Sequence, residues 1–210
     1  MGLENLSANA LAVIYSLPAI PIFCAAWISQ IRADRCVRKL TDADAEVASD
    51  VALAAFLKEV DLTDVEVVKS ENYMQNEYVA AQNKILLSPD TLGRRDVASV
   101  ALALRAGAQA VAERRDPEKP RRVRAIHAAE NIVFWGAFSI LAFGIMSSTL
   151  TTTLIGYASL FFVYGLSRVR VKILRDIDAV VLKFVKTNPT IPEKTALLVA
   201  QILKSERVKL

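Results

Sequence analysis

Histidine is almost missing from this chain. His127 is the only one in 210 residues, and Cys24 and Cys36 are the only cysteines. One imidazole and two thiols cannot supply an ordinary four-ligand zinc site. Two cysteines, one inside an apolar run and one beside a basic flank, exclude a disulfide framework. No P-loop or glycine-rich nucleotide fingerprint occurs, and no serine has the partner pattern of a nucleophilic hydrolase. Acidic charge is short as well: the formal net charge is +4. The cations gather at the edges of apolar runs without interleaved aromatics, which points away from nucleic acid and toward an anionic bilayer surface.

Charge of either sign is absent from two long stretches, Asn5 to Ile31 and Asn131 to Ser167. A bilayer-spanning helix needs roughly 20 mostly apolar residues to cross about 30 Å of hydrocarbon, so both runs read as membrane segments. Pro18 and Pro21 lie inside the first run, where each removes a backbone donor and kinks a helix. A secretory signal peptide is the competing reading, but the only charged side chain before the run is Glu4, whereas a signal peptide starts basic. Residues 1–31 are therefore expected to be an N-terminal transmembrane anchor. Arg32, Arg35, Arg38 and Lys39 follow at once and place the next residues on the cytoplasmic side. Binding to anionic headgroups is compatible with that role. Trp27 falls where an interfacial aromatic would sit.

The second run would make roughly 55 Å of helix at 1.5 Å per residue, too long for one crossing and enough for two short ones. Its polar middle, Ser147 to Thr153, predicts an outer turn between helix cores Ile132–Met146 and Leu154–Leu166. A re-entrant hairpin is the alternative. Arg121, Arg122 and Arg124 precede the run and Arg168, Arg170, Lys172 and Arg175 follow it, so both ends are expected inside. Gly136, Gly144, Gly156 and Gly165 offer close helix approach.

Between the runs, residues 32–130 are enough for one small α+β domain. Thr41 and Asp44 predict a helix cap, followed by apolar residues at helical spacing from Ala45 to about Val60. Asp64–Lys69, Tyr78–Val79 and Lys84–Leu87 read as short strands. Ser88-Pro89-Asp90 is expected to open an alanine-rich helix, with Asp90 or Asp96 near its positive end, running to about Arg115 before Pro117. Its stripe is Val97, Ala101, Leu104, Ala108 and Val111. Arg105 and Gln109 are expected either on its least buried edge or around a ligand. Asp116–Arg124 reads as a charged linker. Residues 168–210 are expected to form a cytoplasmic helical tail, broken at Thr187–Pro192 and closed by a helix from Pro192-Glu193 to about Glu206.

The order of elements, with the stretches LTDADAEVA, DVEVV and NKILLSPDTL leading into DVASVALALRAGAQAVAE, resembles the bacterial membrane-bound neutral zinc metallopeptidases. In that family a helix of the form V-A-x-H-E-x-G-H-A carries two histidines four apart for zinc and a glutamate that activates water. The resemblance implies a zincin-like core helix in residues 32–130, a transmembrane hairpin at 131–167 and an inner-membrane location. With Gly107 on the family glycine, Leu104 and Ala108 take the histidine positions and Arg105 the glutamate position. None can serve: hydrocarbon has no donor atoms and a guanidinium cannot act as a base. The family's further carboxylate ligand falls near Arg170, with Asp176 and Asp178 the nearest acids. The residues thus imply no catalytic group, no metal and no cofactor.

Three functions are compatible with this pattern. One is a non-catalytic relative of the peptidases that binds or regulates a membrane partner, such as an intact peptidase homologue. Another is a hydrolase with an unfamiliar site built from Asp176, Asp178 and His127 or a non-zinc metal. The last is a membrane scaffold unrelated to peptidases. All three include the lipid bilayer as a partner, and none includes nucleic acid.

Overall fold

A computed structural model describes residues 8–41, 43–73 and 75–206. The fold is α-rich with one small sheet. In chain order it comprises α1 (Ala8–Ser16), α2 (Ala19–Thr41), α3 (Ser49–Glu59), β1 (Glu66–Lys69), β2 (Glu77–Val79), β3 (Lys84–Leu87), α4 (Val97–Arg115), α5 (Glu118–Met146), α6 (Leu150–Thr187) and α7 (Glu193–Glu206). The chain divides into two units, one built on Val123–Val171 with the N-terminal residues to Gln30, the other on Ile31–Arg122 and Lys172–Lys209.

The first uncharged run is not one continuous helix. It breaks at Leu17–Pro18 between α1 and α2, because Pro18 has no N–H to continue the ladder, while Pro21 is accommodated in the first turn of α2. The nine residues of α1 reach only about 14 Å, too short to span alone. The side chain of Trp27 lies outside the described residues.

The second run turns where its polar cluster predicts. Ser148 adopts φ 51° between α5 and α6, the Ser147 hydroxyl donates to the Phe143 carbonyl at 2.8 Å, and the Thr153 hydroxyl donates to the Thr149 carbonyl at 2.9 Å. Both carbonyls also accept a backbone N–H, from Ser147 at 2.9 Å and from Thr153 at 3.1 Å, so the hydroxyls bond back onto their own helix turns. The two helices then run antiparallel. A Cβ on Gly144 would lie 2.6 Å from the Thr153 nitrogen, and one on Gly156 would lie 2.7 Å from the Leu141 Cα. Those two glycines permit the close approach, whereas Gly136 and Gly165 face open space. The helices extend past the uncharged run at both ends. Residues 118–124, expected as a linker, form the start of α5, with Pro120 in its first turn where a missing N–H is tolerated. Among the described residues α5 and α6 are the two helices long and apolar enough to cross a membrane. Ala137, Leu141 and Val163 are buried, while Ile132, Trp135, Phe143, Met146, Phe161 and Phe162 are exposed.

The second unit holds a three-stranded sheet of order β1-β3-β2. β1 runs parallel to β3, with Glu66 opposite Lys84, and β2 runs antiparallel to it, with Tyr78 opposite Ile85. The β2–β3 connection turns through Asn83 at φ 51°; asparagine tolerates this left-handed conformation. α4 packs against α3, α7, β2 and β3. The predicted stripe Val97, Ala101, Leu104, Ala108 and Val111 is buried throughout.

Two helix starts differ from expectation. α3 begins at Ser49 with no side-chain cap. Asp44 instead pairs with Asp96 in an isolated bridge and accepts from the Glu46 amide at 2.9 Å. α4 begins at Val97, because the Asp96 carboxylate accepts from the Ser99 amide at 2.8 Å as an N-cap. Residues 89–93 form a turn that ends on Gly93 at φ 73°. In both cases the short polar side chain favours a turn over an early helix start. On α6, Leu174, Ile177, Val181 and Phe184 form a buried stripe, and Phe184 meets Phe56 of α3 edge-to-face at 5.0 Å. The Thr195 hydroxyl on α7 donates to the Ala45 carbonyl at 3.0 Å.

Candidate functional site

α4 carries the residues of interest because apolar neighbours surround it on nearly every side. Twelve of its 19 residues are buried. Gly107 lets α3 approach: a Cβ there would lie 2.8 Å from Phe56 Cδ1 and 2.9 Å from Leu53 Cδ1. Leu104 and Ala108, one turn apart, are fully buried and present only hydrocarbon.

Arg105 is the exception on this helix. Its Nε lies 3.2 Å from Oδ1 of Asp178 on α6, with the Asp178 side chain fully buried and that of Arg105 13% exposed. An arginine in such a helix requires a counter-charge, because removing an ion from water costs several kcal/mol unless it is paired. Asp178 meets that requirement from the apolar face of α6, between Leu174 and Val181. The carry-over from the peptidases named Asp178 only as a nearby acid. Two sequence signals could have found the pair: a lone cation inside an apolar helix, and a lone acid on an apolar stripe.

Arg170 belongs to the other unit. Its Nε lies 2.8 Å from Oε2 of Glu130, and both side chains are nearly buried. In both ion pairs this closest nitrogen–oxygen approach lies off the hydrogen-bonding axis. Oε1 of Glu130 and the Ser167 hydroxyl are buried with no hydrogen-bond partner among the described residues. His127 is largely exposed, with Nδ1 3.8 Å from Glu130 Oε2. Glu130 is the partner that sequence reasoning missed; position 130 served there only as the boundary of the domain. Asp176 is exposed.

Gln109 and Arg105 do lie on the less buried edge of α4, yet both have partners. The Gln109 side-chain carbonyl accepts from the Tyr78 amide at 3.3 Å and so ties α4 to β2. Gln109 also lines an open groove of about 370 Å³ with Asn72, Gln75, Asn76 and Glu77. Those groups form hydrogen bonds but include no nucleophile or base pair. At the end of α4, the Arg114 guanidinium and the Asn83 amide hold the Asp64 carboxyl below its ordinary range, and Asp64 in turn raises Arg114.

The donor set does not fit a zinc ion. Leu104 and Ala108 have no lone pairs to offer, and Arg105 brings a fixed positive charge. Among the described residues no three His, Cys, Asp or Glu side chains come together as a metal site. No protein-family model, curated protein or solved structure matches the chain.

Proposed function

We propose that this chain is a multi-pass membrane protein whose second unit acts by binding a membrane partner, not by catalysis, and that it is a degenerate relative of the membrane-bound zinc metallopeptidases. The carrying observation is the Arg105–Asp178 ion pair. Where the family likeness puts a water-activating glutamate, a guanidinium is neutralised by a buried carboxylate, and neither group is left to bind metal or accept a proton. The membrane part of the reading is supported by the exposed apolar surface of α5 and α6. Only 22% of the apolar window in each helix is buried, whereas a soluble core helix would be mostly covered. The exposed cations Arg121, Arg122, Arg124, Arg168, Lys172 and Arg175 support an inner-membrane topology with both ends of the hairpin cytoplasmic.

Metal analysis of the detergent-purified chain tests this reading. The expected zinc content is far below one per chain, with no cleavage of a generic peptide library. Tightly held stoichiometric zinc that survives a chelator wash would overturn it.

The steric role of Gly107 favours a second reading. That glycine is required by Phe56 and Leu53, so it needs no peptidase ancestry to explain it. A membrane scaffold unrelated to peptidases has the same binding role and the same metal result. A solved structure in lipid that superposes on a peptidase would separate the two.

A further inference from the structure

The cations after the first uncharged run are arranged unevenly in space. Arg32, Arg35 and Lys39 line one open groove of about 310 Å³ with Cys36 and Leu40 of α2 and Gln201 of α7. Their spacing of three and then four residues keeps them on one helix face. All three are exposed, and none has an ion-pair or hydrogen-bond partner among the described residues. Lys84 and Arg114 of the same unit, by contrast, are paired with Glu66 and Asp64. Arg38 lies on the same helix and is exposed, but it does not line the groove.

The geometry points to the phosphate-bearing headgroup of an anionic phospholipid as the occupant of this groove. The inference rests on the membrane reading given above. Three unneutralised cations around one concavity call for an anion. The Cys36 and Leu40 side chains among them call for a ligand that also has hydrocarbon, which a free phosphate lacks. From Arg32 to Lys39 the helix rises roughly 10 Å, comparable to the headgroup layer of roughly 5–8 Å on each side of a bilayer. Arg32 is also the first charge after the uncharged run, the place where acyl chains give way to headgroups. Arginine suits this task because its planar fork engages phosphate oxygens two at a time. Gln201 adds an amide from a second helix, so the site reads shape as well as charge.

The test is native mass spectrometry of the full chain in mild detergent, titrated with dioleoyl-phosphatidylglycerol and, separately, with dioleoyl-phosphatidylcholine. The wild type is expected to retain phosphatidylglycerol at least about ten-fold more tightly, since each cation near a headgroup is worth about five-fold. The triple variant R32Q/R35Q/K39Q should weaken the tightest phosphatidylglycerol by roughly a hundred-fold on the same arithmetic. R38Q should change it by less than about two-fold, because its charge lies off the groove. All four side chains are exposed, and matching unfolding curves will verify that the variants fold. Equal losses for R38Q and for each groove variant would mean diffuse attraction and would overturn the assignment. So would an unchanged triple variant, or inorganic phosphate displacing the lipid at equal concentration. Alkaline carbonate extraction of membranes separates this failure from that of the parent reading. A chain that stays in the membrane but shows no lipid preference loses only the groove, whereas a chain released by carbonate loses the membrane reading itself.

Discussion

α4 and the α5–α6 hairpin are both rich in apolar residues, alanine, valine and leucine among them, yet they meet different surroundings. In α4, 12 of 19 residues are buried by α3, α7 and the sheet. In α5 and α6 only 22% of the apolar window is covered, and Phe143, Phe161 and Trp135 stand 60–65% exposed. Hydropathy alone cannot tell these cases apart. The protein supplies the apolar surroundings of α4, whereas the hairpin must find them outside the chain, and a lipid bilayer is the ordinary source. The treatment of charge differs in parallel. In the buried helix Arg105 is matched by Asp178, while the hairpin's buried ion pair Arg170–Glu130 lies just outside its uncharged run.

Substitutions can break that contrast, and the largest effect is expected at the buried pair. Asp178→Ala leaves the Arg105 guanidinium buried without its counter-charge and should cost about 3–5 kcal/mol, whereas the double variant R105M/D178L should return to within about 1–2 kcal/mol of wild type. Denaturant unfolding in mild detergent measures both, and a double variant as unstable as the single one would refute the pairing. Next, Leu104→Ala should cost about 2–5 kcal/mol because it opens a cavity in a filled core. Phe143→Ala should stay within about 0.5 kcal/mol, since its ring touches solvent or detergent in either state. Equal costs at the two positions would erase the distinction between the helices. Gly107→Ala should cost about 1–3 kcal/mol by forcing Phe56 and Leu53 apart. A neutral result would show that α3 can move aside.

The smallest effect is electrostatic and depends on pH. Asp64 titrates below its ordinary value of 3.8 because Arg114 and Asn83 stabilise its charged form. A depressed folded-state value stabilises the fold above 3.8 and loses that contribution as pH falls through the lower folded value. The pair is exposed, so its effect is small and screened by salt. The melting temperatures of wild type and Asp64→Asn should therefore differ slightly at pH 7 in low salt and converge toward pH 3. A difference that grew on acidification would reverse the assigned sign.

Sequence made the outlines of both regions legible, for different reasons. The hairpin turn was visible because the polar cluster Ser147–Thr153 interrupts an apolar run, and α4 because its apolar stripe repeats at helical spacing. The first strand was marked by the alternating, β-branched stretch Asp64–Lys69, and the other two by short extended pieces on either side of Gln82-Asn83. Helix starts were less legible. Asp90 and Asp96 both have capping side chains, and only the turn ending at Gly93 decides for Asp96. The extension of α5 through Pro120 was hidden because a proline in a first turn looks like a linker in sequence. At the site, Leu104, Arg105 and Ala108 were legible as residues unable to hold zinc. The partners were not: Asp178 lies far along the chain from Arg105, and periodicity gives the face of a helix but not the helix it faces. Gly107 could be matched to a family pattern from sequence, yet its contacts give it a steric reason of its own.

The most direct test of whether the hairpin's exposed face meets lipid is cysteine accessibility in unsealed membranes. Cys24 and Cys36 would first be replaced by serine, then Phe143→Cys, Phe161→Cys and, as an aqueous control, Tyr73→Cys introduced singly and treated with a membrane-impermeant maleimide. Slow labelling at 143 and 161, rapid labelling at 73 and full labelling of all three after denaturation is the predicted outcome. Equally rapid labelling at the three positions in the intact membrane would contradict it.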